Sequence, residues 1–131
     1  MRERVAASFA RQGLMATLGA VLESVAEGVV TIAATVTPAT AQHHGAGHAG
    51  LTFALADTAA GYAAYTMMEE GDEVVTAEMR ISLLAPARGR LVARGRVLRP
   101  GRRLIAVAAE VWAGDVQVAA ALGTMVPVRP R

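Results

Sequence analysis

Cysteine and lysine are both missing from this 131-residue chain, and aromatic residues make up only 4% of it. The lack of cysteine excludes disulfide bonds and thiolate metal ligands. The few aromatics, with no helix-turn-helix, RNA-recognition or zinc-finger pattern, argue against a nucleic-acid partner. Hydrophobic residues make up 53% of the chain, and there is no linker or repeat. We therefore expect a single domain over residues 1–131, with its core at about 14–128.

The N-terminal sequence MRERVAASFARQGL has no apolar stretch of the kind found in signal peptides, so we expect a cytoplasmic protein. Residues 3–12 predict a short amphipathic helix. Residues 49–68 are apolar and about long enough to cross a bilayer. However, Asp57 would lie near the bilayer centre, at a cost of about 2.5–3.5 kcal/mol. The sequence therefore favours a buried helix and no membrane partner.

All 13 basic residues are arginine, and seven of them fall between Arg88 and Arg103. The planar guanidinium group suits bidentate contacts to phosphate. This basic segment could bind a phosphorylated small molecule or nucleic acid, or it could be a solvated strand face.

Apolar periodicity divides the rest of the chain into strands and one helix. A strand-like pattern covers residues 18–37, with a turn at Glu27-Gly28, and ends at Pro38. An apolar helix is predicted from about Ala49 to Glu70. Further strands are predicted at 74–84, 88–97, 104–113 and 117–128. Hairpins after the helix would give an antiparallel sheet covering one long helix, which is an α+β fold.

Two local details follow from the same patterns. Simple alternation in the strand at 74–84 places Val75 on the face of Met79 and Ile81, opposite Thr76. Residues 99–102, Arg-Pro-Gly-Arg, predict a type II turn.

Asp57 is a lone carboxylate about eight residues into the apolar helix. It lies beyond capping range, and a carboxylate among apolar neighbours is costly unless a partner group pairs with it. It is therefore either a structural group bonded to an interface or a strand hydroxyl, or a catalytic group.

The segment before the helix, HHGAGHAG, offers small residues and unpaired N–H groups at a helix start. Such a start suits a carbonyl oxygen that gains negative charge, as in an oxyanion hole. His44 and His48 are four residues apart, which on a helix would suggest a metal site. Gly45 and Gly47 make a helix there improbable, so we expect no metal.

The stretch QHHGAGHAGLTFALADTAAGYAA resembles the signature of the PaaI-like hotdog-fold acyl-CoA thioesterases. That signature has Asn or Gln, a His-Gly pair, His-Gly-Gly opening a helix, and Asp nine residues after that last His. Gln42, His44, His48 and Asp57 fall on those places. Downstream, VVTAEMRISLLAPARGRLVARGRVLRPGRR is similar to the family's strand, Pro-Ala and Gly-Arg pattern. The resemblance covers roughly residues 14–127, and Ala49 stands where the family has its first Gly.

The resemblance implies a hotdog fold, an acyl-CoA substrate, no cofactor and a defined set of roles. The Ala49 N–H, aided by Gln42, would polarise the thioester carbonyl. His48 would be a further catalytic residue, and Gly50 would contribute to substrate binding. Asp57 would act as nucleophile or general base, and Thr76 would orient Asp57 or the water. The CoA phosphates would be held near Pro86 by arginines, namely Arg88, Arg99, Arg102 and Arg103.

Ala49 and Asp57 are eight residues apart, or about 12 Å along a helix axis. They cannot both contact one carbonyl from the same chain, so the sequence predicts sites shared across a two-fold axis. The minimal unit would be a homodimer, and the resemblance favours a homotetramer. Three alternatives remain open: a hotdog protein that binds acyl-CoA without hydrolysis, an enoyl-CoA hydratase, and an interaction domain that uses the arginines. The hydratases' Asp-x-x-x-x-His pattern is missing.

Overall fold

The computed structural model describes residues 1–130 and shows an antiparallel sheet with one long helix packed against its inner face. The helices are α1 (Arg2–Phe9), α2 (Gly13–Thr17) and α3 (Ala49–Tyr65). The strands are β1 (Val21–Ala26), β2 (Val29–Thr35), β3 (Glu73–Leu83), β4 (Arg90–Arg99), β5 (Ile105–Ala113) and β6 (Val116–Val128). This arrangement confirms the α+β hotdog fold expected from the sequence.

The strands lie in the order β1-β2-β4-β5-β6-β3. The predicted hairpins are right for β4–β5 and β5–β6 and wrong for β3–β4, because β3 pairs with β6 at the edge of the sheet. Residues 84–89 connect β3 to β4. Six extended residues can reach about 20 Å, which exceeds three inter-strand spacings of about 4.8 Å. Alternation alone does not distinguish this crossing from a hairpin.

Helix α3 is buried along most of its length because its side chains are small and the sheet curves around it. Eleven of its 17 residues are buried, most of them alanine, leucine or tyrosine. It lies so close to β4 that a Cβ on Gly95 would stand 2.3 Å from the backbone carbon of Ala59. Glycine at position 95 therefore sets the distance between the helix and the sheet.

The predicted end of this helix at Glu70 is wrong, since α3 ends at Tyr65. The N–H groups of Met67 and Met68 donate to carbonyls three residues back, which tightens the last turn. The Thr66 hydroxyl donates to the Ala63 carbonyl and accepts from the Gly28 N–H in the β1–β2 turn. Contacts to another part of the chain thus end the helix early.

The short N-terminal helix predicted at 3–12 corresponds to α1, which ends at Phe9, and a second short helix, α2, follows it. Val5 and Met15 are each 1% exposed, so both helices pack into the core. The Arg4 guanidinium donates to the carbonyls of Tyr65, Met68 and Glu69, and it lies 4.0 Å from the centre of the Tyr65 ring. It thereby caps the C-terminal end of α3.

Two turn and strand details differ from the prediction. Strand β3 has a bulge at Ala77, where the pairing with β6 shifts between Thr76 and Glu78. The bulge moves Val75 to the outer face, 48% exposed, while Met79 and Ile81 pack on the core. The type II turn at 99–102 is also wrong, because it requires a positive φ that Gly101 does not have.

Within residues 1–130, none of the helices combines the length and the apolar character that a bilayer crossing demands.

Candidate active site

Asp57 and Thr76 meet where the middle of α3 faces the edge strand β3. The Thr76 hydroxyl donates to the Asp57 carboxylate at 2.8 Å, and it also lies 3.4 Å from the sulfur of Met125. The bulge at Ala77 reverses the alternation of side chains on its N-terminal side. Val74 and Thr76 therefore face α3 in place of Val75, and Thr76 reaches Asp57. The expected pairing of these two residues is therefore present in the structure, with the geometry of a strand hydroxyl orienting a carboxylate.

Burial raises the pKa of the Asp57 carboxyl above its ordinary value, and the hydrogen bond from Thr76 partly offsets that rise. A carboxylate that is only half-buried and has one donor keeps a free oxygen for other partners. A raised pKa also makes the ionised group a stronger base. Both properties suit proton transfer or nucleophilic attack.

A cavity of about 160 Å³ opens beside this pair. Thr58 and Gly61 extend it along α3, and Val74 lines it from β3. Tyr62 and Gln12 also line it, and the sequence analysis named neither of them. No motif marks Gln12, because it reaches the cavity only through contacts across about 50 residues of sequence.

The start of α3 carries an N–H group that is free to bind a ligand. The Nδ1 atom of His48 accepts from the Gly50 N–H at 2.7 Å, so His48 is the N-cap of the helix. The N–H groups of Leu51 and Thr52 donate to the His48 carbonyl. Within residues 1–130 the Ala49 N–H has no acceptor, and Ala49 is exposed. The predicted donor, the Ala49 N–H, is therefore available, whereas the N–H of the neighbouring Gly50 is occupied.

Gln42 holds the loop that leads into this helix start. Its backbone N–H donates to the Ala46 carbonyl, and its side-chain oxygen accepts from the His44 N–H. The side-chain amide nitrogen of Gln42 is left to donate elsewhere. Gln42, Ala49 and Pro86 line one cavity of about 270 Å³, so the structure brings these three predicted residues together.

The predicted arginines fall at both ends of α3. Arg88 is exposed and lies two residues after Pro86, on the side of the helix start. Arg102 lines a cavity of about 300 Å³ with Met67 and Met68, beyond the C-terminal end of the helix. Arg99 and Arg103 are exposed at the same β4–β5 connection. One chain therefore holds three groups: the helix start, the Asp57 pair, and this distant arginine loop.

A metal centre finds no support in the geometry. Across residues 1–130, no three histidine or acidic side chains converge as metal ligands. His48 already uses one ring nitrogen as the helix cap.

The family model described as the thioesterase superfamily matches residues 44–120, more than half of the chain. This chain belongs to the thioesterase superfamily. A solved thioesterase family protein from Silicibacter pomeroyi is 36% identical, with 98% of each chain covered and a TM-score of 0.95. The PaaI protein from the E. coli phenylacetic acid degradation operon is 26% identical, with 96% of this chain and 91% of that chain covered and a TM-score of 0.88.

A protein of Saccharolobus solfataricus named as an esterase is 37% identical over 84 residues, which are 63% of this chain. The match spans 55% of that relative, little more than half of its length. Together the superfamily match and the solved structures confirm the PaaI-like hotdog family that residues 42–64 indicate.

Proposed function

We propose that this protein hydrolyses acyl-CoA thioesters to a free acid and CoA, with Asp57 as the nucleophile or general base. The observation that carries the proposal is the Thr76–Asp57 hydrogen bond at the mouth of a cavity. Superfamily membership supports thioester chemistry, and the sequence has no cysteine and no Gly-x-Ser-x-Gly elbow that would supply a different nucleophile.

As a general base, Asp57 takes a proton from a water molecule whose oxygen bonds to the thioester carbonyl carbon. The carbonyl oxygen becomes negative and accepts from the Ala49 N–H and from the free Gln42 amide nitrogen. The C–S bond then breaks and CoA leaves as the thiolate. As a nucleophile, the Asp57 carboxylate would instead bond to the carbonyl carbon and expel CoA as the thiolate, and water would cleave the resulting anhydride to give the free acid.

The site is complete only when two copies of the chain meet. Ala49 and Asp57 lie about 12 Å apart along α3, too far to serve one carbonyl. Strand β3 is an 11-residue edge strand, and a long exposed edge favours pairing with another strand. Pairing of β3 with its copy about a two-fold axis would set the Asp57 of one chain opposite the Ala49 of the other. The homodimer, and a homotetramer built from it, belong to this proposal.

The same two-fold axis supports the proposed binding of CoA. Antiparallel helices place the C-terminal end of one α3 near the start of the other. The arginine loop of one copy, with Arg99, Arg102 and Arg103, would then lie on the side of Pro86 and Arg88 of the other. Arginine at that position suits the CoA phosphates. A cytoplasmic location fits a CoA substrate.

The decisive experiment measures thiol release from a panel of acyl-CoAs by the wild type and by Asp57→Asn. The asparagine can still accept from Thr76, so the fold should persist while kcat falls by roughly 10² or more. Asp115→Asn makes the same change at an exposed turn and should keep wild-type kcat. Near-normal turnover by a folded Asp57→Asn protein would exclude the proposed role. Acyl-CoA binding without any turnover by the wild type would instead select the non-hydrolytic carrier.

A further inference from the structure

The cavity beside Asp57 reaches the N-terminal segment, defined here as residues 1–17. Gly61 lies one helical turn beyond Asp57, about 6 Å along the axis, and leaves that wall of the cavity without a side chain. Val74 continues the opposite wall on β3. Tyr62 and Gln12 also line the cavity, and Gln12 is the one lining residue that the N-terminal segment contributes.

Gln12 is held in place by a buried hydroxyl. Its side-chain nitrogen donates to the Tyr62 hydroxyl at 2.9 Å. The same hydroxyl is 2.9 Å from the Ser8 hydroxyl, and Tyr62 is only 2% exposed. A group longer than the cavity would have to displace Gln12 and break its hydrogen bond to Tyr62. Displacement therefore costs one hydrogen bond, while the Tyr62 hydroxyl keeps its bond to Ser8.

The size of the cavity sets a limit on what fits before Gln12 is reached. Its volume is about 160 Å³. A cavity of about 150 Å³ accommodates a benzene ring, so the part of the acyl site that this chain supplies matches a group of roughly six carbon atoms, and the second copy would supply the rest. The limit falls within the range of common acyl chains and can therefore distinguish between them.

We propose that Gln12, held by Tyr62, is the specificity-determining residue that limits the length of the acyl group. The proposal rests on the proposed acyl-CoA hydrolysis, since it takes the Asp57 cavity as the acyl site. It assigns a role in substrate choice to a segment outside the matched superfamily region, residues 44–120.

The test compares kcat/KM over straight-chain acyl-CoAs from acetyl to dodecanoyl. Gln12→Ala should raise the ratio of decanoyl to hexanoyl activity by roughly tenfold, in the range that pocket changes produce. Tyr62→Phe keeps the ring and frees Gln12, so it should shift the ratio the same way by less. Gly61→Ala places a methyl group at ordinary contact distance, 3.8 Å, from Met125, and should favour shorter chains by narrowing the cavity.

Ser8→Ala is the matched control, because it removes the other bond to Tyr62 without touching the cavity lining. Its length profile should match the wild type. An unchanged profile in Gln12→Ala, or an equal shift in Ser8→Ala, would overturn the proposal. If the wild type hydrolyses none of these thioesters, the proposed function fails. In that case the same variants and acyl-CoAs test Gln12 through dissociation constants measured by calorimetry. Gln12→Ala should then raise the affinity for decanoyl-CoA relative to hexanoyl-CoA by the same factor.

Discussion

At the scale of single residues, the proposed chemistry of Asp57 and the stability of the folded protein favour opposite ionisation states of its carboxyl. Burial raises the pKa of its carboxyl in the folded protein. A raised folded-state pKa means that stability is fully present below the unfolded-state pKa and declines as the pH rises through the folded-state pKa. The ionised form that the proposed catalysis needs is therefore the less stable form of the protein. The Thr76 hydroxyl reduces this conflict by stabilising the carboxylate.

Thr76→Val should shift the acid limb of the pH–rate profile. The hydrogen bond from Thr76 lowers the pKa of Asp57, so its removal should move the midpoint of that limb to higher pH. Activity rises with pH through this limb because the carboxylate is the active form. The measurement is kcat/KM from pH 4 to 8, with Thr76→Ser as the conservative control that restores the hydroxyl. An acid limb at the wild-type position in Thr76→Val would show that Thr76 does not control this ionisation.

The sequence identified these residues to different degrees. Asp57 is identified from the sequence alone, without the family resemblance, because an acid eight residues into an apolar helix requires a group that pairs with it. Thr76 comes only from the family resemblance, since strict alternation turns it away from the helix. Gln12 carries no local signal, and its role depends on a contact with Tyr62 that forms only in the folded chain.

At the scale of the elements, one bulge and one glycine decide how the site is built. The extra residue at Ala77 lets Val74 and Thr76 share the inner side with Met79 and Ile81. The alternation of apolar and polar residues predicts where the strands lie. A bulge changes which side chains face the core, and the composition of the strand gives no sign of it. Strand order is likewise invisible in the pattern, because residues 84–89 could form either a hairpin or a crossing.

Gly95→Ala should destabilise the protein strongly. The added Cβ would meet the backbone of Ala59 and Ala60 at 2.3–2.4 Å, so helix and sheet must separate. Overpacking of this kind costs about 1–3 kcal/mol or more in the free energy of unfolding. Gly13→Ala is the control, because nothing lies within 4 Å of its added methyl group. Urea unfolding of the two variants measures the difference, and equal midpoints would contradict the close approach described for α3.

At the scale of the whole molecule, the proposed two-fold axis would bring the three separate groups of predicted residues together. Within a chain the helix start and Asp57 cannot cooperate, and the arginine loop lies near the opposite end of a helix about 25 Å long. The sequence predicts this arrangement through a count of residues along α3. Strand β3, at the edge of the sheet, is the element through which the copies would pair.

A heterodimer of Ala49→Pro and Asp57→Asn chains should recover about half of wild-type activity per dimer if sites are shared. Proline suits this first helical position, since the Ala49 N–H has no partner in the described chain and His48 has an extended backbone with ψ 144°. Each mutant homodimer should be almost inactive. If sites are shared, one site of the heterodimer carries both substitutions and the other site carries neither. Purified, differently tagged heterodimers give the measurement, and activity as low as in the homodimers would exclude shared sites.

The bonds that Arg4 makes also bear on the order in which the molecule is assembled. Arg4 and the carbonyls it caps are 61 to 65 residues apart in sequence, and Gln12 is 50 residues from Tyr62. A chain emerging from the ribosome has made its N-terminal segment long before α3 exists to receive it. Closing a loop of that length is slow compared with forming local contacts. We therefore expect the N-terminal segment to join a largely formed sheet and helix, so that Gln12 reaches the cavity beside Asp57 late in folding.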